Sequence, residues 1–261
     1  MKNILVSGCS YTQHGNRYNF PYWHEYFTDN VVNVGIYGGS NEQIIMNAQT
    51  ALLTTQFDEV IIQLSGWDRF HILDYPLHIG YNLNKERANY VIHKDDQPFI
   101  DVRDYINPYL VKYLLEQHLT VEKIQNHTLY HLYQLITHCK VNKIKLTVIQ
   151  GVVPYRINSL ARPLYFKYLK NKEIFDDRII CKKAIDNPFF KKIDEMPDNE
   201  YIKLIGWPFH PMLGGNYIDG YLPDLEKQTG IPVRVSNISD PHPNEYAHKI
   251  IFDIIQRGYY D

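Results

Sequence analysis

Residues 3–12, Asn-Ile-Leu-Val-Ser-Gly-Cys-Ser-Tyr-Thr, decide the fold. Asn3 to Ser7 is a short apolar run that stops at Gly8, as expected of a buried parallel strand. Ser10 then falls on a strand-to-helix turn, with its hydroxyl exposed and backbone N–H groups nearby. A plain turn serine or helix cap has the same local signature, because Ser and Gly are ordinary turn residues. The rest of the chain has to separate those readings.

Outward from this stretch, strands and helices alternate. A short helix is expected around Tyr22 to Phe27, and a second strand at Val31 to Val34. Ser40 and Gln43 have capping-box spacing, and Ile44, Ile45, Ala48, Ala51 and Leu52 recur at helical spacing, which predicts a helix over Ser40 to Thr54. Val60 to Leu64 is a third strand ending at Ser65-Gly66. Helices are expected near Tyr109 to Leu119 and from Val121 to Cys139, where Ile124, Leu129, Leu132, Leu135 and Ile136 form a stripe. Lys145 to Val153 is a fourth strand, Val233 to Ile238 a fifth, and Pro243 to about Gln256 a last helix. The expected fold is a three-layer α/β/α sandwich, a flavodoxin-like arrangement around a mostly parallel five-stranded sheet. Two stretches without sustained period, roughly 74–108 and 156–229, read as insertions, the first able to hold a hairpin. With no internal repeat or low-complexity linker, one domain over residues 1–261 is the economical division.

Composition removes several classes. Apolar residues make up 44% of the 261, enough for a sizeable core, so disorder is excluded. With 27 basic against 29 acidic residues and no basic run, the chain lacks the charge excess of a nucleic-acid binder. The first apolar run is too short for a membrane span or signal-peptide core, so cytoplasmic synthesis and no membrane partner are expected. Cys9, Cys139 and Cys181 offer neither a disulfide framework nor a zinc ligand set, and no metal or organic cofactor is expected. The Gly-x-Gly-x-x-Gly, Gly-Lys-Ser/Thr and Gly-x-Ser-x-Gly motifs are all missing. The 22 tyrosines make stacking on sugars conceivable, though packing explains tyrosine enrichment equally well.

Three further segments follow predicted strands. Asn33 to Gly39 contains Gly35, Gly38 and Gly39, which let backbone N–H groups come close to a ligand. Ser65-Gly66-Trp67-Asp68-Arg69 puts aromatic and charged groups at a strand mouth. Asp240-Pro241-His242-Pro243 sets a carboxylate and an imidazole two residues apart; if the segment is extended, both face the same side. Each segment alone is also what a glycine-rich connection, a solvated loop or a helix cap would show.

In order and spacing, these four blocks resemble the SGNH (GDSL-like) hydrolases along nearly the whole chain. Gly8-Cys9-Ser10-Tyr11-Thr12 resembles that family's nucleophile block, with Cys9 in place of its Asp. The resemblance implies Ser10 as nucleophile, His242 as base and Asp240 as the acid that orients it. It implies the backbone N–H groups of Ser10 and Gly38, with Trp67, as the oxyanion hole, and Asp68, Arg69 and Tyr11 against the substrate. The implied activity is removal of small acyl groups, such as acetyl, from carbohydrate or related polar esters. Two departures keep a second reading open. Trp67 stands where the family has an asparagine donor, whose loss typically costs about 2.7–4 kcal/mol. Asp240 lies two residues before His242, with Ser239 at the usual place three before. The alternative is a non-catalytic binding or structural module on the same scaffold. The Gly-Cys-Ser-Tyr-Thr and Trp-Asp-Arg variants resemble bacteriophage-borne members, which implies a virion-associated role, enzymatic or structural; virion components or further copies of the chain are the macromolecular partners expected.

Overall fold

The computed structural model describes residues 1–12, 18–67, 69–74, 77–82, 91–93, 100–101, 121–152, 177–197, 199–236 and 240–258. In chain order they form β1 (Asn3–Gly8), β2 (Asn30–Asn33), α1 (Asn41–Thr54), β3 (Glu59–Leu64), β4 (Arg69–Asp74), β5 (Leu77–Asn82), β6 (Val91–His93) and β7 (Ile100–Asp101). There follow α2 (Val121–Val141), β8 (Lys145–Gln150), α3 (Asp177–Asp186), α4 (Pro188–Asp194), β9 (Ile202–Ile205), α5 (Ile218–Thr229), β10 (Arg234–Ser236), β11 (Asp240–Pro243) and α6 (Glu245–Arg257).

Five strands build the central sheet in the order β2-β1-β3-β8-β9, and every neighbouring pair is parallel. Counted along the chain this is 2-1-3-4-5, the flavodoxin-like doubly wound order, in which ligands sit beyond the carboxyl ends of strands one and three. The strands alternate faces. Leu5, Val60, Ile62, Leu64, Leu146 and Val148 pack with Ile44, Ile45 and Ala48 of α1 and Leu129, Leu132, Leu135 and Ile136 of α2. Ile4, Val6, Ile61, Ile149 and Ile205 face the other way, against Ile218 and Leu222 of α5 and Ala247, Ile251, Ile254 and Ile255 of α6. Apolar residues on both faces of a strand are what a sheet covered by helices on both sides demands.

The cap read at the start of α1 is present, whereas α6 begins two residues after Pro243, which belongs to β11. Ser40 caps α1, its Oγ accepting the Gln43 N–H at 3.3 Å. Asn244 caps α6, its Oδ1 accepting the Ala247 N–H at 3.0 Å. The expected helix at Tyr22 to Phe27 is a single 3-10 turn, Trp23–Tyr26.

Three sequence expectations need correction. The fifth strand of the sheet is β9, inside the stretch read as an irregular insertion. It is a short edge strand with most of its side chains half-buried, so it lacks the continuous apolar run that marks the inner strands. The strand expected at Val233 to Ile238 is β10, which pairs antiparallel with β11 in a separate two-stranded sheet. The first insertion carries more than a hairpin: β5, β6 and β7 within it join β4, which leads into it, in a four-stranded antiparallel sheet. The helix expected at Tyr109 to Leu119 lies outside the described residues.

The turn after β1 depends on Gly8. A Cβ there would come within 2.2 Å of Thr12 Oγ1 and 2.8 Å of Thr12 Cβ, so the Thr12 side chain occupies the space a larger residue would need. Gly8→Ala is expected to destabilise the protein by about 1–3 kcal/mol, as overpacked buried sites do, read as a lower urea midpoint at unchanged slope.

Candidate active site

The turn after β1 closes with the Thr12 N–H donating to the Cys9 carbonyl at 2.8 Å. Its interior side chains are held by Gln63 of β3. The Thr12 hydroxyl donates to Gln63 Oε1 at 2.9 Å, and the Cys9 sulfur lies 3.7 Å from the same oxygen. Cys9 is therefore a buried structural residue, and Ser10 beside it, whose hydroxyl was expected to be exposed, is buried as well. With Cys9 and Thr12 turned inward, Ser10 reaches the C-terminal part of the chain. Its Oγ lies 3.0 Å from His242 Nε2, a hydrogen bond between residues 232 positions apart.

His242 is brought there by β11. Arg234 of β10 pairs with Pro243 and Ser236 with Asp240, so residues 240–243 are extended, the condition the sequence argument set for them. The Asp240 side chain is outside what the structure describes, as are Asp68 and the side chain of Arg69. Asn244 fastens the hairpin to the preceding loop: its N–H donates to the Val233 carbonyl at 3.0 Å and its amide to the Pro232 carbonyl at 2.8 Å. Aromatic rings surround His242. Tyr11 meets it edge-on at 5.8 Å between centroids, Tyr37 stacks at 6.3 Å and Tyr18 lies tilted at 6.3 Å.

The glycine loop after β2 is carried alongside. The Ile36 N–H donates to the Gly8 carbonyl at 2.8 Å, extending the β1–β2 ladder, and Gly38 follows at φ 72°, a left-handed conformation that favours glycine. Asn33 ties this loop to the serine turn. The Gly35 N–H donates to Asn33 Oδ1 at 2.8 Å, which fixes the amide orientation. Asn33 Nδ2 then donates to the Thr12 carbonyl at 3.0 Å and to His24 Nε2 at 3.1 Å. His24 Nε2 is thus an acceptor, and the ring proton sits on Nδ1.

Two assigned side chains do something other than expected. The Trp67 indole N–H donates to Gln150 Oε1 at 2.8 Å, and the ring belongs to the buried core. The oxyanion role expected of Trp67 needs a donor that this bond already takes. Gln150 also donates to the Ser65 and Val152 carbonyls, each at 2.6 Å, so the indole is locked among strand ends. Tyr11, expected against the substrate, is 5% exposed, and its hydroxyl donates to Asp219 Oδ1 at 3.0 Å. Burial first, and the Asp219 carboxylate second, push its pKa well above the ordinary tyrosine value, so the hydroxyl keeps its proton. Tyr11 supports the pair from inside.

Sequence reading missed Asp219 and Arg234. Arg234 Nη2 donates to the same Asp219 oxygen at 3.0 Å, and both side chains are largely buried. Asp219 lies in the stretch read as an insertion, and no local pattern marks it. Among the described residues there is no cluster of three or more His, Cys, Asp or Glu placed to hold a metal.

Several solved structures resemble this chain. One is a G-D-S-L-family protein from Desulfitobacterium hafniense DCB-2, at 9% identity and TM-score 0.46, covering 98% of this chain and 99% of that one. Another is the acetylxylan esterase Axe2 from Geobacillus stearothermophilus, at 13% identity and TM-score 0.41, covering 98% and 93%. A third is a member of the lipolytic protein G-D-S-L family from Veillonella parvula DSM 2008, at 11% identity and TM-score 0.42, covering 98% and 96%. No protein-family model matches the chain, and neither does any curated protein sequence.

Two buried histidines give the fold an acid-sensitive side. Burial lowers the His24 pKa, with Glu25 opposing only in part, and burial pushes His210 down to about 4. Both are neutral in the fold, His24 because Nε2 must accept from Asn33. In the unfolded chain they titrate near an ordinary value of about 6.5. The unfolded state then binds more protons below that value, so stability is complete above it and declines as pH falls toward about 4. The urea midpoint should fall between pH 7 and pH 5, and the double variant His24→Gln/His210→Gln should flatten that decline.

Proposed function

We propose that the protein is a serine ester hydrolase of the SGNH type, with Ser10 as nucleophile and His242 as general base. The observation that carries this reading is the 3.0 Å hydrogen bond between Ser10 Oγ and His242 Nε2 beyond the carboxyl end of β1. Nothing in packing the core calls for a partly exposed imidazole on that hydroxyl, whereas proton transfer during nucleophilic attack does. The order of the four sequence blocks supports the same reading.

In this mechanism Ser10 Oγ attacks the ester carbonyl as His242 Nε2 takes its proton. The negative charge passes to the carbonyl oxygen, held by the backbone N–H groups of Ser10 and Gly38. His242 then returns the proton to the departing alcohol, leaving an acyl-Ser10. Water attacks that ester, giving its proton to His242, which passes it to Ser10 Oγ as the acyl–oxygen bond breaks, so the carboxylic acid leaves and the resting pair is restored. Asp240 orients the imidazole. The substrates are small acyl esters, acetyl foremost, on carbohydrate or a similar polar alcohol, with Tyr18 and Tyr37 as walls beside the base.

The Trp67–Gln150 bond favours a second reading, a non-catalytic binding module, because it withdraws a donor from the oxyanion position. One experiment separates the two. A fluorophosphonate should form an adduct on Ser10, located by peptide mass spectrometry, and p-nitrophenyl acetate should be hydrolysed. Ser10→Ala and His242→Ala should each lower kcat/KM by on the order of 10⁴-fold while leaving the folded state intact. Folded protein that takes no label would establish the binding module instead.

A further inference from the structure

We infer that Asp219 is a positioning residue for the Ser10–His242 pair, acting through Tyr11 on one side and Arg234 on the other. This rests on the hydrolase reading and names what holds its two reacting groups in register.

Asp219 stands where three segments meet. Its N–H donates to the Gly151 carbonyl at 2.9 Å, anchoring the start of α5 to the end of β8. Its Oδ1 accepts from the Tyr11 hydroxyl, and Tyr11 adjoins Ser10 in the chain. The same oxygen accepts from Arg234 Nη2, and Arg234 is paired with Pro243, the residue after His242. Tyr11 also sets its ring edge against His242. One carboxylate oxygen therefore connects the nucleophile's turn to the base's hairpin by a single side chain on each side.

The chemistry suits a positioning role. Desolvating an aspartate and an arginine is unfavourable unless further hydrogen bonds satisfy them, and a buried pair is a weak source of net stability. What the arrangement supplies is geometry: the oxygen receives two donors from directions set by rigid elements. A small displacement of a base from its nucleophile costs far more in rate than in stability.

The test uses Asp219→Asn, which keeps the shape and removes the charge, and Tyr11→Phe, which keeps the ring and removes the donor. Three quantities are read: kcat and KM on p-nitrophenyl acetate, the rate of fluorophosphonate addition at Ser10, and the His242 ring-proton resonances. Asp219→Asn is expected to lower kcat and the labelling rate about tenfold or more, with KM within about twofold. Tyr11→Phe should lose less in the same direction, and the double variant should be no slower than Asp219→Asn, since the two act in series. The His242 resonances should move in both variants. Folded Asp219→Asn with wild-type kcat and unmoved His242 signals overturns the inference, as does a double variant whose losses multiply. Wild-type protein with an unreactive Ser10 removes the hydrolase reading; the resonances then decide the positioning question alone, because they report the ring's surroundings whether or not the serine reacts. Should Asp219→Asn fail to fold, Tyr11→Phe carries the comparison with the ion pair intact.

Discussion

A single buried amide, Gln63, sits across the carboxyl ends of three neighbouring strands, and the geometry beyond them follows from it. Its Oε1 receives the Thr12 hydroxyl from the turn after β1, and its Nε2 donates to the Leu64 carbonyl of its own strand at 2.9 Å. On the third strand the space is so fully used that a Cβ on Gly151 would fall 1.6 Å from Gln63 Nε2. A buried polar side chain is tolerated only when its hydrogen bonds are made, and here making them bends the chain after β1. Thr12 folds back over Gly8 to reach the amide. That backward fold directs Cys9 and Thr12 inward and leaves Ser10 to face the hairpin. Asn33 and the Ile36–Gly8 bond then bring the glycine loop to the same edge.

The rest of that edge is stitched in the same manner. Asn41 exchanges two hydrogen bonds with the Ser65 backbone, accepting its N–H at 2.6 Å and donating to its carbonyl at 3.2 Å. Gln150 meets the same carbonyl and also holds Trp67. Amides at the ends of parallel strands satisfy backbone groups that the ladder no longer pairs. Trp67 has been drawn into this scaffold, and a tryptophan there brings bulk and a hydrogen bond to the core at a strand mouth where the resemblance implies a ligand-facing donor. Buried side chains with different partners thus occupy adjacent positions in the chain, as at Cys9, which meets Gln63, Ser10, which meets His242, and Tyr11, which meets Asp219.

How much of this the sequence discloses depends on the range of the interaction. Inner strands such as Ile4–Val6 and Val60–Leu64 are apolar on both faces, and that pattern is visible without knowing the partners. The α1 cap is equally local, since Ser40 and Gln43 lie three residues apart. β9 is not legible in this way. Ile202-Lys203-Leu204-Ile205 lies at an edge, and Lys203 is turned to the last carbonyls of α6, donating to those of Ile255 at 3.1 Å and Gln256 at 3.2 Å. Apolar continuity is not required there, so the strand hides in its surroundings. Val233 to Ile238 misleads for the opposite reason: its β-branched residues suit any strand, and only the antiparallel pairing of β10 with β11 shows that its partner is not the central sheet. At the site, Ser10 and His242 were marked by residue type and by the blocks around them. Asp219 was not, because its partners lie 208 and 15 residues away and nothing beside it in the chain announces them.

The separation between Ser10 and His242 also has a temporal meaning. The serine turn is made from residues near the start of the chain, while the histidine emerges from the ribosome only shortly before the last helix. Closing a contact of that span carries a high entropic cost until the intervening sheet and helices are in place. A nascent or half-folded chain therefore holds a serine with no imidazole beside it. The Ser10–His242 contact becomes a property of the folded molecule alone, made when β11 and α6 dock.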